Sequence, residues 1–129
     1  MIIVDSSYFI AISDKRDQWH SKALALKEYV EKADHLNTEL NVSEVITEIG
    51  RRKGGKAGDL LYKYFKDNCK IAFASEADLD AAEVIFLTYD GKLSLPDSLS
   101  LHYLSQYQVN SIVSFDSDFD RCKGLERIF

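Results

Sequence analysis

The residues with the clearest chemical potential in this chain are acids placed at the ends of apolar runs. Asp5 follows Ile2-Ile3-Val4 directly, and Asp116 follows Ser111-Ile112-Val113-Ser114-Phe115, with Asp118 and Asp120 close behind. Asp97 stands just after Pro96, and Glu44 lies in the first turns of a segment whose apolar residues recur at helical spacing. If the apolar runs are strands of an open parallel sheet, all four acids fall at the carboxyl edge, where such sheets bind their ligands. Carboxylates gathered there repel one another, by about 4 kcal/mol for a pair 4 Å apart at an effective dielectric of 20. Protonation, intervening basic residues or a divalent cation must relieve that repulsion. Oxygen-only donors suit hard ions, which makes Mg²⁺ or Mn²⁺ the expected occupant. A metal site of this kind supports phosphodiester hydrolysis through an activated water. The plainer alternative is that acids at helix starts act as caps. Asp5 has the weaker reason to do so, because Ser6 can meet that need.

The elements that would position these acids follow from hydrophobic periodicity. Ile2-Ile3-Val4 is the short β-branched run of a buried parallel strand. A helix capped by Ser6 or Ser7 runs to about Ile12, and Trp19, Ala23, Leu26 and Val30 set a second helix over roughly 18–32. Leu36–Leu40 reads as a weak strand. Asn41 or Ser43 then caps a helix with Val42, Val45, Ile46 and Ile49 on one face, and Gly54-Gly55 ends it. Leu60, Leu61, Tyr64 and Phe65 mark another helix, Ile71-Ala72-Phe73 a strand, and Leu79 to Tyr89 a further helix closed near Gly91. A helix begins near Pro96-Asp97, and Ser111–Phe115 is the last clear strand. The alternation predicts an α/β fold with a parallel sheet and helices on both faces.

Composition bounds the rest. The 129 residues are 46% hydrophobic and 29% charged, as expected of one globular domain over 1–129. The net charge of −5 argues against charge-driven coating of nucleic acid, though not against a metal-bearing nuclease. No apolar run approaches the roughly 20 residues of a membrane span, and Met1–Asp5 has no basic n-region, so neither membrane insertion nor a signal peptide is expected. Cys69 and Cys122 stand alone, which favours a reducing, cytoplasmic setting.

In their order along the chain, these segments resemble PIN-domain ribonucleases, above all the VapC-like toxins of toxin–antitoxin pairs. Ile2–Ala11 is similar to the family's opening strand, Asp and small helix. Thr38–Arg52, with Ser43-Glu44-Val45-Ile46, is similar to its second acidic motif, Leu93–Leu101 to its third and Ile112–Asp120 to its fourth. Pro96 and Ser98 around Asp97 depart from the usual pattern. The resemblance implies a three-layer α/β/α PIN-like domain with a short central parallel sheet. It also implies Asp5, Glu44, Asp97 and Asp116 as catalytic acids, with Asp5, Asp97, Asp116 and the more loosely matching Asp118 as metal ligands for Mg²⁺ or Mn²⁺. Ser114 matches the hydroxyl that orients the last acid, and Ser6 a small polar residue beside the first. An RNA substrate, a small antitoxin packed near the first helices and a homodimer are further implications.

Arg51, Arg52, Lys53 and Lys56 form a basic run after Glu44; Arg51 and Arg52 are candidate RNA contacts, against the reading of a solvated helix end. Lys15-Arg16 poses the same choice. Glu48, one turn after Glu44, either approaches the site or pairs with Arg51 or Arg52. His20, His35 and His102 have no metal-ligand spacing, and His20 reads as a packing residue beside Trp19. The aromatics Tyr8, Phe9, Trp19, Tyr62, Tyr64 and Phe65 read as core or interface. Three rival functions stand beside a toxin endoribonuclease. One is a PIN nuclease of RNA processing without an antitoxin, and another is an inactive PIN-fold binding module. The third, a phosphoacceptor signalling domain, wants an acidic pair at the first strand and a lysine after the last, where this chain has Ser6-Ser7 and further acids.

Overall fold

A computed structural model describes residues 1–129. Five short parallel strands lie in the order β3-β2-β1-β4-β5: β1 (Ile2–Val4), β2 (His35–Thr38), β3 (Lys70–Ala72), β4 (Ser111–Val113) and β5 (Glu126–Ile128). Six helices connect them: α1 (Ser6–Ser13), α2 (His20–Lys32), α3 (Glu39–Lys53), α4 (Gly55–Asn68), α5 (Glu76–Thr88) and α6 (Leu95–Gln106). A turn of 3₁₀ helix, Ser117–Arg121, follows β4.

The β-branched run of β1 explains the layering. Ile2 and Val4 point to one face, into a core with Phe9, Val45, Ile49, Phe65 and Val113 from the α1–α4 side. Ile3 points to the other, with Leu36, Leu99, Leu104, Ile112 and Phe119 on the α5–α6 side. Alternation along a strand buried on both faces yields the three-layer α/β/α sandwich expected from the sequence. No helix is long and apolar enough to cross a membrane.

Several boundaries differ from expectation. β2 ends at Thr38, so Thr38, rather than Asn41 or Ser43, caps α3: its hydroxyl accepts from the Asn41 N–H at 3.1 Å. β3 spans Lys70–Ala72, leaving Phe73 outside the strand and exposed. Only Phe65 of the four apolar residues marking α4 is buried; Leu61 is partly buried, and Leu60 and Tyr64 lie exposed. β5 was not expected, because Glu126-Arg127-Ile128 carries one apolar residue and reads as loop until it pairs with β4. Gly54 takes φ 96° between α3 and α4, a left-handed conformation that suits glycine at a helix end. Trp19 stacks on Phe115 with ring centroids 5.5 Å apart, and His20 Nδ1 lies 2.7 Å from the Ala11 carbonyl oxygen, both packing roles between α1, α2 and the sheet.

Candidate active site

The acids occupy the carboxyl edge of the sheet because β1 and β4 are neighbours and α3 and α6 both start at that edge. Asp5 is fully enclosed at the end of β1. Contrary to expectation it is itself the N-cap of α1, with Oδ2 accepting the Ser7 N–H at 3.3 Å. The same oxygen accepts the hydroxyls of Ser7 at 2.7 Å and Ser114 at 2.9 Å. Oδ1 is buried with no hydrogen-bond partner at all. Burial pushes the Asp5 carboxyl above its ordinary range, against the pull of these two hydroxyls, and the charge of Asp116 adds to the rise.

Asp97 sits at the third position of α6 in a reciprocal capping box: its N–H donates to Ser94 Oγ at 3.1 Å and its Oδ2 accepts the Ser94 N–H at 3.1 Å. Pro96 fits this helix start, where its missing N–H costs nothing. Burial first, then the charge of Asp5, push Asp97 up to about 6. Asp116 caps the 3₁₀ turn through Oδ1, which accepts the Asp118 N–H at 2.9 Å, while its own N–H donates to Ser114 Oγ at 3.0 Å. Capping and ligation are thus not alternatives here. Each aspartate gives one oxygen to the backbone and keeps the other free of protein hydrogen bonds.

Glu44, in the second turn of α3, lies at the open rim of the cleft, where the Ser6 hydroxyl reaches Oε1 at 3.5 Å. Its surface is accessible, yet enough protein crowds the carboxyl that partial desolvation, then repulsion by Asp5 and Asp97, push it up to about 7. The four acids therefore feel one another electrostatically. As the side chains stand, no three His, Cys, Asp or Glu side chains close into a single coordination sphere. The donor set nonetheless fits a hard cation: mutually repelling carboxylates, free oxygens, and a buried Asp5 Oδ1 that nothing in the protein satisfies. Asp118 stands apart, half-exposed and 3.6 Å from Arg121 in a surface ion pair.

Sequence reasoning singled out Ser6 beside Asp5, but the fold gives the larger structural role to Ser7. Its hydroxyl donates to Asp5 and accepts the Phe115 N–H at 2.9 Å, joining the start of α1 to the loop after β4. The two arginines also differ. Arg52 donates through Nη1 to Asp14 at 3.1 Å and Asp17 at 3.0 Å, and through Nε to Glu48 at 3.1 Å. Arg51 has one partner, Glu48 at 2.9 Å, and Lys53 donates to the Ser13 carbonyl at 2.6 Å. Glu48 is thus bound by both arginines and faces away from the role of a fifth site acid.

The sequence matches the PIN domain family model over residues 2–125. The chain belongs to the PIN domain family. No curated protein matches the sequence. Among solved structures, the PIN fold here is similar to Mycobacterium tuberculosis VapC20, described as a Sarcin-Ricin loop cleaving toxin, with a TM-score of 0.84 at 19% identity over 94% of each chain. It is also similar to a chain of a toxin–antitoxin complex from Klebsiella pneumoniae, with a TM-score of 0.71 at 15% identity over 100% of this chain and 97% of that one. VapBC2 from Rickettsia felis, solved bound to a promoter DNA fragment, gives a TM-score of 0.70 at 12% identity over 99% and 98% of the two chains. At these identities the likeness is one of fold. The phosphoacceptor alternative falls with the family match.

Proposed function

We propose that this PIN protein is a divalent-metal-dependent endoribonuclease and the toxin of a toxin–antitoxin pair. The observation that carries the reading is the state of Asp5: one carboxylate oxygen fixed by two hydroxyls, the other buried and unpartnered in a cleft shared with Asp116 and with Asp97 and Glu44, whose pKa values the Asp5 charge helps to raise. Asp5, Glu44, Asp97 and Asp116 would hold Mg²⁺ or Mn²⁺, with Asp118 further out. Bound there, such an ion supplies a water of lowered pKa and offsets the charge that develops on phosphorus. Ser7 and Ser114 keep Asp5 in one orientation, the Ser94 box does the same for Asp97, and the backbone of Asp118 does it for Asp116. Burial and its acidic neighbours push Glu44 up to about 7, and its accessible carboxylate is suited to accept a proton from the attacking water.

Water as nucleophile makes no use of a 2′-hydroxyl. RNA is favoured over DNA by the likeness to a toxin that cleaves the Sarcin-Ricin loop. Likeness to chains from toxin–antitoxin complexes supports an antitoxin partner. Its seat in this reading is a groove of about 450 Å³ between α1, α2 and α4, lined by Tyr8, Phe9, Ile12, Val30, Leu61 and Tyr64. A homodimer and a cytoplasmic location belong to the same reading.

Incubating the purified protein with structured and unstructured RNAs, then sequencing the new ends, tests the function. Cleavage should require Mg²⁺ or Mn²⁺, stop in excess EDTA and vanish in Asp97→Asn. Cleavage that persists unchanged in EDTA without a tightly held metal overturns the proposal.

A further inference from the structure

A groove of about 400 Å³ lies between α1 and α3, bordered by Ile10 and by Ser43, Thr47, Glu48 and Arg52, with Glu44 and Arg51 both in its lining seven positions apart on α3. We infer that this groove seats the RNA strand as it leaves the cleavage site, with Arg51 holding a backbone phosphate and Arg52 acting only as a strut of the groove wall. The inference rests on the endoribonuclease reading and adds a register to it.

Three observations separate the two arginines. The Arg52 side chain is 31% exposed, and its Nη1 and Nε are taken by three carboxylates from the α1–α2 loop and from α3. It ties Asp14 and Asp17 to the helix that carries Glu44. Arg51 is 71% exposed and makes one contact, through Nη1, so most of its guanidinium donors face water. Its single bond is an i,i+3 surface pair, the kind of interaction that contributes little and exchanges readily for a better partner. A phosphodiester offers two oxygens that match the guanidinium fork. When Arg51 turns to it, Glu48 keeps its 3.1 Å contact with Arg52 Nε.

The helix fixes the distance. Seven residues separate Glu44 from Arg51, which at 1.5 Å per residue is about 10.5 Å along α3. For a strand running stacked and parallel to α3, at the duplex rise of about 3.4 Å per nucleotide, the phosphate at Arg51 lies about three nucleotides from the cleaved bond. The Thr47 hydroxyl stands midway along the same wall.

The test uses fluorescence anisotropy of a labelled single-stranded RNA containing a mapped cleavage site, bound to protein made cleavage-dead by Asp97→Asn. Adding Arg51→Gln should weaken binding roughly fivefold at 0.1 M salt and lower the slope of log K against log salt by about 0.7, one phosphate contact on a single strand. Replacing the phosphate three nucleotides from the cleaved bond, on one side or the other, by an uncharged methylphosphonate should remove the same increment from the Arg51 protein and nothing from Arg51→Gln. Arg52→Gln should leave the slope unchanged when measured under conditions where it is fully folded. Affinity and slope that do not respond to Arg51→Gln, in a protein whose parent cleaves this RNA, overturn the inference and leave the nuclease reading standing. A parent protein that neither binds nor cleaves RNA with Mg²⁺ or Mn²⁺ overturns both.

Discussion

Ser7 donates its hydroxyl proton to Asp5 at 2.7 Å while its oxygen accepts the Phe115 N–H at 2.9 Å, so one side chain sets the acid at the end of β1 and the loop that delivers Asp116. Ser7→Ala removes both bonds and leaves a part-buried N–H without its partner. The expected loss is about 1–2 kcal/mol of stability, with a 10–100-fold weaker Mn²⁺ affinity, the usual effect of losing a group that orients a ligand. Urea denaturation without metal and calorimetric titration with Mn²⁺ check the two effects separately.

Asp5→Asn should separate fold from function in the opposite way. The asparagine oxygen can still accept from Ser7 and Ser114, and the change removes a buried charge that Asp116 and Glu44 oppose. Thermal stability without metal should stay equal or rise, while cleavage falls by at least about a hundredfold, as for loss of an essential electrostatic group. A variant that folds and cleaves at the parent rate would remove Asp5 from the site.

Stability without metal should fall as pH rises from about 4 to 7.5. Asp97 and Glu44 stay protonated in the folded protein up to about 6 and about 7, whereas the unfolded chain has released those protons by then. The folded state therefore binds more protons over this window, and raising the pH favours unfolding. Asp97 alone accounts for about 3 kcal/mol. His35, whose pKa burial lowers, works in the other direction and partly offsets the trend. Urea midpoints in EDTA across this range should slope downward more steeply for the parent than for Asp97→Asn with Glu44→Gln, where the buried Asp5 carboxyl still contributes in the same direction.

Arg52→Gln should lower the urea midpoint by about half a molar, because it frees the α1–α2 loop from α3 and leaves Asp14 and Asp17 without their cation. Arg51→Gln, which loses one exposed pair, should leave the midpoint unchanged within error.

The elements and the convergence of the four acids at one sheet edge were legible because their signals are local. An apolar run followed by Asp, or a proline next to an acid, specifies a strand end or a helix start within a few residues. Ser7 was not legible: Ser6 and Ser7 are chemically identical neighbours, and only the approach of Phe115, more than a hundred residues away, separates their roles. The same holds for Arg51 and Arg52, which differ only once the α1–α2 loop folds against α3. β5 escaped notice because an edge strand needs little hydrophobicity, and its backbone pairing with β4 leaves no trace in composition. Asp5 caps α1 even though Ser6 beside it carries a hydroxyl that can cap, because the fold turns that hydroxyl toward Glu44 instead.

The backbone tethers divide the site into unlike parts. Asp5, Asp97 and Asp116 are locked to the first turns of their helices, so their positions are settled when the chain folds. Glu44 hangs on a single 3.5 Å contact from Ser6 and has rotamers to spare. The cleft works like a vice with a fixed jaw of three aspartates and a travelling jaw of one glutamate. On the proposed metal-site reading, differences in the size of what is gripped would be absorbed on α3, the helix that also carries the arginines.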